Sequence, residues 1–338
     1  MTLSEDNPDC SAHIDQALIT LVMTTRTEPM ALRVLCAGIL SNLSVCTLEC
    51  IQTTIECVSQ DWTAFMEKAH QVSLAIETAA PTDSVFTIEE MKQMVPQNAP
   101  AVDALESQLR YVQIALEILS NLFCEDLDPE QAQEEWEDED MDEDEEMMRD
   151  MDPVLDQEVK VLPGLEFLTQ SSLLQSLLEM MVLSGPSDAK LTIVNEEWGH
   201  VRIRVLGVLN NIFGLLDSTW ASSHTLFIQS LWTGLFQIGS NADKDMLSSV
   251  METVWALSRI LAPNAVQPTL EQARGLIHLF QIHSDLQTAC VGILGYMGRC
   301  QGCIPLNQAC LGQLTRLGNR TLFDDSIEFT HCFCRNSG

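Results

Sequence analysis

The sequence predicts an all-α protein, an armadillo/HEAT-type helical-repeat superhelix (α-solenoid), and three observations carry that prediction. Apolar residues recur every three or four positions along most of the chain, which is the spacing of one helix face. Aromatics make up only 6% of the 338 residues and there are 16 glycines, too few for the strands and turns of a sandwich or barrel. The third observation is self-similarity: Leu35 to Leu43 (LCAGILSNL), Ile114 to Leu122 (IALEILSNL), Leu206 to Phe213 (LGVLNNIF), Thr253 to Leu261 (TVWALSRIL) and Ala289 to Met297 (ACVGILGYM) read as one helix written five times. Each carries a small residue where a neighbouring helix can approach. Each also has an equivalent position after its central Leu pair, filled in order by Asn42, Asn121, Asn211, Arg259 and Tyr296.

These positions lie 79, 90, 48 and 37 residues apart, against a period of roughly 40 to 47 for armadillo and HEAT repeats. The first two gaps are therefore expected to hold two repeats each, about seven in all, in a right-handed superhelix. Segments such as Leu165 to Leu183 and Leu226 to Ile238 supply the partner helices. Pro29 marks a helix start near residue 31, while Pro163, Pro186, Pro263, Pro268 and Pro305 punctuate junctions. Residues 78–101 hold three prolines and read as a long loop with at most one short helix near Ile88 to Met94. The expected organisation is helical repeats over 1–124, a disordered acidic loop over 125–153, HEAT-like repeats over 154–315 and an irregular tail over 316–338.

Charge narrows the function. The formal net charge is -32, which argues against direct nucleic-acid binding, because phosphate recognition needs clustered Lys and Arg. Between Glu125 and Asp152 stand 17 acids and the single Arg149, so half of the net charge sits in one segment. Its densest part, EEWEDEDMDEDEE, supplies Glu134, Glu135, Trp136, Glu137, Asp138, Glu139, Asp140, Asp142, Glu143, Asp144, Glu145 and Glu146 as candidate partner-binding residues. Like charge at this density cannot pack. One reading is a solubilising insertion; the other is a polyanion that covers a basic surface, with Trp136 and Met141 as apolar anchors. Asn42, Asn121 and Asn211 are candidates of a second kind, since an amide both donates and accepts and so suits the backbone of an extended peptide. The alternative is an Asn satisfied within its own helix layer.

Twelve cysteines lie mostly in apolar helical stretches, where thiols act as small hydrophobes. Cys300 and Cys303, with His331, Cys332 and Cys334, raise a zinc site that the Gly-rich setting disfavours. No nucleophile elbow, phosphate loop, HExxH or dinucleotide fingerprint is present, so no catalytic residue and no cofactor is expected. No leader and no apolar run of membrane-spanning length is read either.

An ILSNLF helix running into an EEWEDED loop and resuming with VLPGLEFL resembles the symportin family, also called HEAT repeat-containing protein 3, over residues 12–315. The resemblance implies a scaffold that chaperones basic ribosomal proteins of the 5S ribonucleoprotein and escorts them for nuclear import and large-subunit assembly. A nuclear import receptor would be a further partner, the chain would be monomeric, and it would occupy cytoplasm and nucleus. The family's proline-tyrosine import signal has no counterpart at Tyr111 or Tyr296, and its earlier armadillo repeats and last helices are not matched, so the resemblance implies a partial chain. The rival reading is a general transport-receptor-like or phosphatase-type HEAT scaffold with an unrelated partner.

Overall fold

A computed structural model describes residues 15–43, 48–79, 90, 92–93, 95–124, 172–183, 192–240 and 242–300, and no strand occurs among them. Their α-helices are α1 (Gln16–Thr24), α2 (Met30–Asn42), α3 (Leu48–Val58), α4 (Trp62–Ala79), α5 (Ala99–Leu122), α6 (Leu173–Val182), α7 (Thr192–Leu215), α8 (Ser218–Ser223), α9 (Thr225–Gly239), α10 (Lys244–Ile260), α11 (Leu270–Ile282) and α12 (Gln287–Arg299). The chain is an all-α helical-repeat solenoid.

Helix ends follow local chemistry. Pro29 stands at the N-cap of α2, and α5 carries Pro within its first two positions, where a missing N–H costs nothing. Asp15, Asp217 and Asp243 accept from the first-turn amides of α1, α8 and α10. Thr269 and Gln272 close a capping box on α11. Asn264, with φ 69°, takes the left-handed turn between α10 and α11, a conformation Asn tolerates better than most residues.

The five self-similar segments fall on α2, α5, α7, α10 and α12, and each of these helices packs on the next in that order. They form one continuous layer. Its register is carried by Leu40, Leu119, Leu209, Leu257 and Leu294, all buried. The second layer runs α1, α3, α6, α9, each in contact with the next, and α11 packs against α12. Helix α4 is an addition that leans on α5. Its Trp62 meets Trp198 of α7 at a tilted angle with centroids 5.5 Å apart, and its Phe65 stacks on the same ring at 5.7 Å.

The repeat count differs from the sequence expectation. Because α2 packs directly on α5, and α5 directly on α7, each long gap holds one step of the stack rather than two. The surplus in the first gap is spent on α4 and the residues after it. In the second, the surplus falls between α5 and α6, at the junction between two repeats. Of the short helix expected near 88–94, Glu90, Lys92 and Gln93 are described and are helical. Lys92 there pairs with Asp103 at 2.6 Å and Glu106 at 3.4 Å. Among the described residues, no helix is long and apolar enough to cross a membrane.

Candidate functional site

The acidic candidates, Glu134 to Glu146, lie outside the described residues, as does the whole of 125–171. What the structure defines is the platform from which that stretch departs. Helix α5 ends with Phe123 buried and Cys124 exposed, and the chain re-enters at α6, beside α7. A polar seam locks α5 to α7: the Gln113 amide donates to Glu197 at 2.8 Å, and Arg204 grips Glu117 through Nε at 2.9 Å and Nη2 at 2.8 Å. Asn211 Nδ2 reaches the Ser120 carbonyl at 3.0 Å and its hydroxyl at 3.1 Å. The acceptor carbonyl belongs to the last turn of α5, which has no partner within its own helix.

The three asparagines therefore do not share one environment. Asn211 is half-buried and committed to Ser120, Asn42 is half-buried, and Asn121 is exposed. At the next two equivalent positions Arg259 is exposed, whereas Tyr296 is buried and its hydroxyl donates to the Ala262 carbonyl at 3.3 Å. Equivalence in sequence does not give a continuous amide ladder.

A second recurrence, nine residues before these positions, escapes the sequence reading. Arg33, Arg202 and Gln287 stand nine residues ahead of Asn42, Asn211 and Tyr296. Each side chain reaches back to a last-turn carbonyl of the partner helix: Arg33 Nε to Met23 at 2.8 Å, Arg202 Nε to Met181 at 3.1 Å, and Gln287 Nε2 to Phe280 at 3.2 Å. These contacts fill the negative end of each helix with a donor, a charged one in two cases. The signal available in sequence is an Arg or Gln inside an otherwise apolar helix face.

Concave surface occurs between α6 and α9. A groove of about 800 Å³ is lined by Thr63, by Gln175, Leu178, Glu179, Val182 and Leu183 on one wall, and by Leu226, Gln229, Ser230, Thr233, Gly234 and Gln237 on the other. The helices approach closely because Gly234 lacks a side chain; a Cβ there would lie 3.2 Å from Val182 Cγ2. Beside the groove a smaller pocket of about 180 Å³ shares Val182, Gly234 and Gln237 and adds Arg202, Ile238, Ala242 and Met246. Arg202 has no carboxylate partner among the described residues. Burial lowers its pKa from the ordinary arginine value.

Residues 168–316 match the family described as SYO1-like, TPR repeats. That match supports the symportin resemblance. The SYO1-like stretch takes in α6 to α12 and with them all of the groove lining except Thr63; α1 to α5 lie before it. Its repeats are described as TPR where the sequence reading names armadillo and HEAT, and the content common to both, a stacked solenoid of helical repeats, is the fold seen here. No curated protein gives a significant match to the chain. Cys300, the member of the considered zinc set that is described, is buried and its Sγ lies 3.7 Å from the Tyr296 carbonyl; Cys303, His331, Cys332 and Cys334 lie outside the described residues. Among the described residues no cluster of three or more potential metal ligands occurs.

Proposed function

We propose that this chain is a non-catalytic carrier that chaperones basic ribosomal proteins of the 5S ribonucleoprotein, escorting them between cytoplasm and nucleus for large-subunit assembly. The observation that carries the proposal is the direct packing of α5 on α7. Helix α5, which ends just before a segment with 17 acids, packs on α7, which follows that segment in the chain. The likeness of residues 168–316 to SYO1-like repeats points the same way.

In this reading the helical layers hold the client's shape and Glu134 to Glu146 cover its RNA-binding surface. Tethering keeps the carboxylates at high effective concentration beside a docked client. Exposed ion pairs contribute at most about 1 kcal/mol each and are screened by salt, so affinity arises from many weak pairs and rRNA phosphates can displace them. A nuclear import receptor is a second partner, and a monomer suffices for the task.

The test is titration of purified 5S-RNA-binding ribosomal proteins against the wild-type chain and a chain in which Glu134, Glu135, Glu137, Asp138, Glu139 and Asp140 are neutralised together. Wild-type affinity is expected to fall steeply with ionic strength, and the neutralised chain to bind weakly with an unchanged melting temperature. Equal affinity of both chains at low and high salt would leave the tract a solubilising insertion and return the chain to a general scaffold with an unrelated partner.

A further inference from the structure

Beyond the carrier reading, we infer that the groove between α6 and α9 is a docking site for an extended peptide segment that places a Glu or Asp side chain on Arg202. The walls have the chemistry an extended backbone needs. Gln237 offers donor and acceptor, and Gln175 and Gln229 keep an acceptor oxygen and one amide proton beyond their bonds to Glu179 at 3.3 Å and the Ala265 carbonyl at 3.5 Å. The Ser230 and Thr233 hydroxyls, which donate to the Leu226 and Gln229 carbonyls, add acceptors. Gln229, Thr233 and Gln237 follow one another at intervals of four, so α9 presents them along one face. Apolar anchorage is supplied by Leu226, 82% exposed, and Val182, 50% exposed, which both line the groove.

The adjoining pocket sets the charge of the occupant. Its 180 Å³ holds one side chain, and Arg202, Gln237 and apolar groups line it. Arg202 spends one donor on the Met181 carbonyl. A guanidinium carries five donors in a fixed fork, and a half-buried one without an anion is costly; Arg33, at the equivalent position, meets Glu56 at 2.9 Å. No described carboxylate meets Arg202, so the occupant's carboxylate is assigned there, beyond Glu179 on the groove wall, which is bonded to Gln175 at 3.3 Å. The chain's net negative charge does not forbid this, since the Debye length is about 8 Å at physiological ionic strength and the nearest charge decides.

The probes are end-blocked, dye-labelled octapeptides with one Leu and one Glu at spacings of two to five residues, each paired with its Gln twin, titrated against the full chain by fluorescence anisotropy. At least one Glu peptide is expected to bind, with its Gln twin about tenfold weaker, because a charge-assisted pair is replaced by a neutral one. Arg202→Gln should remove the difference between twins, and Leu226→Asp, at a residue too exposed to affect folding, should weaken the Glu peptide. Arg202 also supports α6, so Gln237→Ala provides a second, gentler reading of the pocket and should weaken the same peptide. Failure of every peptide to bind, or equal binding of the twins, would overturn the inference. None of these probes reports on ribosomal-protein binding, so either reading can fall alone.

Discussion

Asn211 of α7 and Ser120 of α5 are joined by two contacts, the amide nitrogen lying 3.0 Å from the carbonyl and 3.1 Å from the hydroxyl. They are 91 residues apart in sequence, with the acidic tract between them. Replacing Asn211 by Ala should lower stability by about 1 to 2 kcal/mol, the cost of leaving a partly buried acceptor unpaired. Urea denaturation measures the loss, and client affinity of the folded variant should be unchanged. A variant of wild-type stability with weakened client binding would restore Asn211 to the client surface.

Arg33 is only 5% exposed and joins three helices, donating from α2 to Met23 of α1 and to Glu56 of α3 at 2.9 Å. Arg33→Met should cost about 2 kcal/mol near neutral pH. The Arg33 hydrogen bond holds the Glu56 carboxyl below the usual glutamate range, against a smaller opposing effect of burial. A lowered native pKa means that the unfolded chain takes up its proton first on acidification. The contribution is therefore complete above the ordinary glutamate pKa of about 4.3 and is lost as pH falls through the native one. The stability gap between wild type and variant should shrink from pH 6 to pH 3.5. A gap constant over that range would show the ion pair contributes nothing.

Gly292 of α12 sits beneath Trp255 of α10, and a Cβ at residue 292 would come within 2.7 Å of the Trp255 Cδ1. Gly292→Ala adds helix propensity of up to about 1 kcal/mol, yet the clash should outweigh it and give a net loss of about 1 to 3 kcal/mol. In a Trp255→Ala background the same substitution should turn neutral or stabilising. Additive losses in the two backgrounds would disprove the contact.

Burial pushes the Cys57 thiol up to about 12 and the Cys290 thiol to about 11. The thiolate is the reactive form, so both should resist iodoacetamide at pH 8 in the native protein. Cys124, which is exposed, should alkylate readily. Peptide mapping after a short pulse, with and without urea, checks the contrast; labelling of Cys57 at the rate of Cys124 without urea would contradict it.

The helices are readable in the sequence because burial repeats with the helical period, as Leu40, Leu119, Leu209, Leu257 and Leu294 show. Repeat number is not, because dividing 79 and 90 residues by a period cannot distinguish a stacked repeat from an added helix such as α4 or an inserted segment. Small residues are an ambiguous sign of close approach: Gly292 meets Trp255, but Gly207 has nothing within 4 Å of where its Cβ would be. Tyr296 and Asn211 occupy equivalent sequence positions, yet one turns into the core and the other bridges to α5. The acidic candidates stand out by composition alone. The α6–α9 groove does not, since its walls come from segments about fifty residues apart, and its pocket needs Arg202 from a third helix.

The back-reaching contacts of Arg33, Arg202 and Gln287 bear on how the stack comes apart. Stability in repeat arrays is close to a sum of within-unit and nearest-neighbour terms. Units α1–α2, α6–α7 and α11–α12 have a hydrogen bond inside the unit, whereas the corresponding places in α5 and α10 are Val112 and Val250. The three bonded hairpins should open as cooperative pairs in native-state hydrogen exchange, as should α3 and α5, joined by the Cys57 thiol and the Tyr111 carbonyl, while α9 and α10 exchange with separate free energies. The stack would then yield first within the α9–α10 unit rather than within a pinned hairpin.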